Sequence, residues 1–187
     1  PKKNLGHKQT DNCKFIKSYV KPSQCFQIGA ASSKYNLICL LSDDIKFSKK
    51  NILNKIKKNK KLIKKNILLS LKLKSYGVKT WAPSKEYNYM SLPVAPIIEK
   101  KLFFKVGGID KGFLATFHDL DLYLRILSKG YKIKYLDIII EERERDDIEP
   151  SLYHRNSSVD KKYFQRLWFR KGKFNLKRVQ KVKKFKE

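Results

Sequence analysis

Acidic side chains are scarce in this sequence, 17 Asp and Glu against 44 Lys and Arg, so the places where they gather at the ends of apolar runs are informative. Asp43 and Asp44 follow the apolar run 35–41 (YNLICLL), and Asp119 and Asp121 open the apolar stretch 117–131 (FHDLDLYLRILSKGY). A divalent ion such as Mn2+ or Mg2+ takes one or two carboxylates together with substrate phosphates. One aspartate pair could hold such an ion while the other supplies a general base. Each pair also has an ordinary structural reading. Asp-Asp suits turns, and carboxylates in the first turn of a helix accept free backbone N–H groups and complement the dipole. For Asp121 that reading is the stronger one, because Arg125 stands at i+4, the spacing of a helix-supporting ion pair. Trp81 and Trp168 could each stack on the flat face of a ligand, although so large an aromatic is more often core.

The elements that must position these residues follow from periodicity. Run 35–41, ending in Ser42-Asp43-Asp44, predicts a buried strand of a mainly parallel sheet, whose carboxyl end is where α/β sheets bind ligands. Residues 51–65 predict a helix with a thin apolar stripe at Ile52, Leu53, Ile56 and Ile63 and lysines on a solvated face. Residues 66–74 (NILLSLKLK) alternate as a strand does, and 92–98 (LPVAPII) predict another, whose prolines place it at a sheet edge. A turn-rich connector at 103–113 leads into the helix that carries Asp119 and stops at Gly130. Residues 131–140 are β-rich, and 141–150 (EERERDDIEP) read as an exposed loop. Residues 1–34 are polar and irregular, with 27–33 (QIGAASS) suited to a turn or short helix. The basic end, 171–187, fits a membrane-surface helix, an RNA-binding tail or a frayed terminus.

The 187 residues, 41% hydrophobic and 12% aromatic, suffice for one domain with a core. A formal charge of +27 invites an anionic membrane or nucleic acid, yet only seven of the 44 basic residues are arginine, the side chain best suited to forked phosphate recognition. Nucleic acid is the weaker expectation. Cys13, Cys25 and Cys39 show no paired spacing, which argues against a disulfide framework or zinc knuckle and fits a reducing cytoplasm. No apolar run approaches the ~20 residues needed to span a bilayer.

The order strand-SDD, then FKVGGID, then HDLDLYLRILSKGY resembles the family 2 glycosyltransferases with the GT-A fold, in which an acidic motif ending a strand is followed by G-G-x-D and then E-D-x-D-L-x-x-R-x-x-x-x-G-Y. The matches are Gly107, Gly108, Asp110, Asp119, Asp121, Leu122, Arg125, Gly130 and Tyr131, with echoes at Tyr153-His154-Arg155, Ser157-Ser158 and the YFQRLWFRKG segment. The similarity covers roughly residues 22–172. Ser42 replaces the first acid of the usual motif, and His118 replaces the glutamate before Asp119.

What the resemblance implies is an α/β, Rossmann-like mixed sheet flanked by helices. Because the nucleotide-binding strand, helix and strand with which members begin are not visible before residue 22, the chain would be a partial domain, a divergent short form or a fragment of a longer reading frame. It implies one transferase domain over 1–172 and a basic tail over 173–187. The activity implied is metal-dependent, inverting transfer of a sugar from a nucleotide-diphosphate donor, a UDP-sugar, to a hydroxyl of a glycan or lipid-linked acceptor; the basic surface would then favour anionic donors or bring the protein into peripheral contact with an anionic membrane. Asp119 would be the general base. Asp43, Asp44 and His154 would bind the diphosphate, with Asp44 and His154 on the Mn2+ or Mg2+ ion. Gly107, Gly108, Asp121 and Trp168 would lie on the acceptor side. The competing expectation is a noncatalytic, basic, nucleic-acid-binding protein or an inactive glycosyltransferase fragment.

Overall fold

A computed structural model describes residues 16–41, 45–47, 52–63, 66–75, 78–88, 90, 91, 93, 95–142, 152–177 and 182–185. The chain forms helix α1 (Pro22–Ser32), strands β1 (Leu37–Cys39) and β2 (Ile45–Phe47), helix α2 (Ile52–Ile63), and strands β3 (Ile67–Ser75), β4 (Val78–Lys79) and β5 (Ala95–Glu99). Helices α3 (Lys100–Lys105) and α4 (His118–Leu127), strand β6 (Lys132–Glu142), helix α5 (Leu152–Trp168) and the hairpin β7 (Phe169–Arg170) and β8 (Lys173–Phe174) complete it. The fold is α/β, with a mixed sheet ordered β1-β5-β3-β6-β2 and flanked by helices; β4 pairs with the end of β3.

Among the described strands only β3 and β6 run parallel; β1–β5, β3–β5 and β2–β6 are antiparallel, which corrects the expectation of a mainly parallel sheet. The continuous apolar run at β1 has another cause. Leu37, Cys39 and Leu41 pack on the α2 side of the sheet while Ile38 and Leu40 pack on the opposite side, so both faces are covered although β1 is a short edge strand. Apolar residues on both faces report two-sided burial, whichever way the neighbour runs.

The expectation of an edge position for 92–98 is also corrected, because β5 lies between β1 and β3. Pro96 is tolerated there by parity. The Lys100 N–H donates to the Asn36 carbonyl, so residues 98 and 96 also turn their backbone polar groups toward the β1 side. The paired register of β1 ends at Cys39 opposite Ile97, which leaves no β1 residue in the ladder to miss a proline N–H.

Three apolar clusters stack through the molecule. One, lined by Leu69, Leu71, Leu73, Ile97 and Ile138, lies between α2 and the sheet. A second, with Ile38, Leu68, Ile98, Phe103 and Tyr123, lies between the sheet and α1, α3 and α4. The third joins Leu124 and Leu127 of α4 to Phe164 and Trp168 of α5 and Phe174 of the hairpin. Helix α4 therefore sits in the middle, buried on nearly every side, with His118, Asp121 and Arg125 covered along with its apolar residues.

Within the basic tail, 173–187, described residues touch the rest of the chain. Phe174 is buried in the third cluster, Phe185 packs on the second, and the Lys111 N–H donates to the Lys183 carbonyl at 2.9 Å. Leu122→Ala, which empties a fully buried site on α4, is expected to cost about 2–5 kcal/mol in urea unfolding, whereas Leu53→Ala on the outer face of α2 stays within about 0.5 kcal/mol.

Candidate functional site

The candidate site is built around the start of α4. The loop before it is gripped by Asp160 of α5, wholly buried, whose carboxylate accepts the N–H groups of Leu114 at 2.9 Å, Ala115 at 2.8 Å and Thr116 at 2.7 Å. The Thr116 hydroxyl donates to the same carboxylate. This fixes the chain up to Phe117, which takes a left-handed backbone at φ +59° and packs its ring on Phe164 at 5.2 Å. A bulky residue in that conformation is strained and persists only where its surroundings hold it. Such strain concentrates where a side chain must be aimed.

One turn into α4, Asp121 and Arg125 form a buried pair, with Arg125 Nε donating to Asp121 Oδ2 at 2.9 Å. The other carboxylate oxygen accepts the Trp168 indole N–H at 2.9 Å. Burial pushes the Asp121 carboxyl above its ordinary value, and the Arg125 charge and Trp168 N–H pull against that. Every neighbour on this carboxylate is a donor, which a protonated acid could not satisfy, so Asp121 is held ionised. Arg125 spends its remaining donors on the Val106 and Gly108 carbonyls.

Those carbonyls belong to the Gly107-Gly108 turn, where both residues have positive φ, +98° and +64°. A Cβ on Gly108 would come within 2.4 Å of Gln27 Oε1, the atom that accepts the Ile109 N–H at 3.0 Å. Above Gly107 lies Val182. Next along, Asp110 Oδ1 accepts the Gly112 N–H at 2.8 Å and the Tyr163 hydroxyl at 3.3 Å, and Oδ2 accepts the Lys183 N–H at 3.2 Å. Burial and the Asp110 charge push the Tyr163 phenol up to about 12, so it stays a donor.

Asp119 differs from these three acids. It is half-buried, its Oδ1 accepts the Leu120 N–H at 2.8 Å, and its Oδ2 meets no donor among the described residues. Tyr123 stands at i+4, and side chains on a helix lean toward its N-terminus, so the phenol runs back toward Asp119. Burial pushes that phenol well above its ordinary value, and the Asp119 charge raises it further. Leu40, the residue after β1, packs in the same cluster as Tyr123.

Beside Asp119, His118 is buried against Phe26 with ring centroids 4.8 Å apart. Among the described residues neither ring nitrogen has a hydrogen-bond partner, the nearby Ala115 backbone lying outside bonding geometry. Burial lowers its pKa, opposed by the charges of Asp119, Asp160 and Asp121.

Of the residues singled out by the sequence, Asp43 and Asp44 lie outside the described residues, as does the side chain of His154, whose backbone falls in the first turn of α5. Trp168 and Asp121, expected on the acceptor side, are instead bound to each other in the interior, 0% and 1% exposed. A ring with no exposed surface cannot stack on a sugar. Among the described residues no group of three His, Cys, Asp or Glu side chains could hold a metal ion. Asp110, Asp121 and Asp160 have their oxygens committed to donors. The described residues therefore do not fit a Mn2+ or Mg2+ site by themselves. No helix among them is long and apolar enough to cross a membrane.

Sequence reasoning missed Asp160, Gln27 and Tyr163. A signal existed for two of them: Asp160, Tyr163, Phe164 and Trp168 fall on one helical face, and an acid on an otherwise aromatic face has a partner to satisfy. No protein-family model matches the chain, and no curated protein matches it in sequence.

Two outcomes follow from this geometry. Asp121→Ala strands the Arg125 charge and is expected to cost about 3–5 kcal/mol in denaturant unfolding, while the double replacement Asp121→Leu with Arg125→Met recovers much of that loss. The second concerns pH. His118 is held neutral in the fold, and the unfolded chain takes up its proton below about pH 6.5. Stability attributable to this side chain is therefore complete above that pH and falls as pH drops below it, by up to about 1.4 kcal/mol per unit. Thermal melts between about pH 7 and pH 5 should show this slope in the wild type and its loss in His118→Leu.

Proposed function

We propose that the chain is a GT-A-type glycosyltransferase domain, or part of one, in which Asp119 is the general base for sugar transfer from a nucleotide diphosphate. The observation that carries this reading is the contrast among the acids of the motif. Asp110 and Asp121 are consumed by internal donors, whereas Asp119 keeps an oxygen without a described donor, at a helix start held in place by a buried clamp and a strained residue. A scaffold that orients one carboxylate while satisfying the others is what general-base catalysis requires.

The relation of Asp119 to β1 supports the donor half of the reading. Leu40 packs on the same apolar cluster as Tyr123, whose hydroxyl is under the influence of Asp119. Asp44 is four residues on in the sequence, and four residues of chain span at most about 14 Å. In the proposed reaction an acceptor hydroxyl attacks the anomeric carbon, Asp119 takes its proton, and the bond from that carbon to the diphosphate oxygen breaks, with the electron pair leaving on the nucleoside diphosphate. Asp43, Asp44 and His154 are the residues proposed to face the diphosphate and any Mn2+ or Mg2+ that accompanies it. The acceptor, a glycan or lipid-linked hydroxyl, would approach over the Gly107-Gly108 turn. The position taken by His118 replaces a second carboxylate with a neutral ring, which leaves the base without a like charge at its side.

The test uses the wild-type chain with UDP and Mn2+, followed by thermal melting and by UDP release from a panel of UDP-sugars. A rise in melting temperature that Asp44→Ala abolishes and Asp119→Asn retains is expected. In the latter variant UDP release should fall by about 10²–10⁴-fold. Release unchanged in Asp119→Asn would overturn the assignment of the base, and no stabilisation by UDP with or without Mn2+ would overturn the donor site.

A further inference from the structure

The segment 46–65 holds ten lysines, no acid and no arginine. In the fold, Ile56 and Ile63 of α2 turn inward onto the sheet, and the helix is pinned by Lys55, whose Nζ donates to the Asp137 carbonyl at 2.7 Å and lies 3.9 Å from its carboxylate. The outer face is then Leu53, Asn54, Lys57, Lys58, Lys60 and Lys61, all exposed. None of these four lysines pairs with an acid among the described residues. Leu53 is 71% exposed one turn ahead of Lys57 on the same face, and Phe47, at the end of β2 before the helix, is 46% exposed.

We propose that this outer face of α2 docks on an anionic lipid bilayer, the lysines meeting the headgroups and Leu53 entering the boundary below them. Charge complementarity selects a polyanion, and two features select a bilayer over nucleic acid. The face has no guanidinium to fork onto phosphates and no aromatic of its own for bases to stack on, whereas an exposed leucine among lysines has an apolar phase to enter only at a membrane. Lysines near an anionic surface each strengthen partitioning by about fivefold, so four make binding measurable and strongly salt-dependent. The surface does not depend on the sugar-transfer reading, since it lies on the side of the sheet opposite α4.

The experiment is flotation of the full chain with vesicles of phosphatidylcholine alone and of phosphatidylcholine with phosphatidylserine. Binding is expected only to the second and should fall on the order of 30-fold in the double variant Lys57→Glu with Lys60→Glu. Leu53→Ser should weaken vesicle binding while leaving any binding to single-stranded RNA unchanged. The control Lys161→Glu with Lys162→Glu alters net charge equally on the exposed face of α5; it should retain most of the binding, and all three variants can be checked for folding by circular dichroism. Equal loss in the control, unchanged binding in the α2 variants, or binding to RNA without binding to acidic vesicles would each overturn the proposal.

Discussion

A carboxylate that has been taken out of water must be given donors, and the centre of this protein is organised by that requirement at Asp121. Its demand is met by Arg125 from one turn further along the helix and by Trp168 from the end of α5. Arg125, buried in turn, needs acceptors for its own surplus donors and finds them in the backbone of the Gly107-Gly108 turn. A single buried charge thus ties three separate parts of the chain to one point. Pairs of this kind add little to stability over well-packed hydrocarbon, but an unmatched partner is strongly unfavourable, so the arrangement tolerates few alternatives. It sets which way α4 faces.

A second clamp acts on the same helix from outside it. The Asp160 carboxylate collects consecutive backbone donors of the loop and so determines where α4 begins, and Phe117 absorbs the resulting turn in a conformation that its side chain disfavours. The two clamps act on either side of Asp119, one on the residues before it and one on the residue two after. Among the described motif acids, the one with an oxygen that meets no described donor thus has its backbone held from both sides.

Much of this was legible because periodicity reports burial directly. The lysine-rich helix, the alternating strand at β3, the β-rich run at β6 and the helix ending before Gly130 all follow their patterns. The i, i+4 spacing of Asp121 and Arg125 announced their ion pair. Where the reading failed, the cause was long-range. Helix α1 is held by its polar groups, Ser23 donating to the Phe113 carbonyl and Gln27 accepting from Ile109, and such bonds leave no apolar stripe to read. The pairing of Trp168 with Asp121 spans 47 positions and has no local trace. Prolines in β5 suggested a margin because the parity that exempts Pro96 is fixed by where β1 ends, which no single segment reveals.

The parallel alignment of β3 with β6 has a consequence for how the chain reaches its native state. Between Ser75 and Lys132 lie 56 residues, counting 76 through 131, that include β5, α3 and α4. Closing so long a loop is entropically unfavourable until those intervening pieces are themselves placed, so this longest ladder of the sheet forms late, after the local antiparallel partners. Until it does, one margin of β3 stands open along most of its length. The margin left open in the partly folded chain thus belongs to a strand that lies at the centre of the finished sheet.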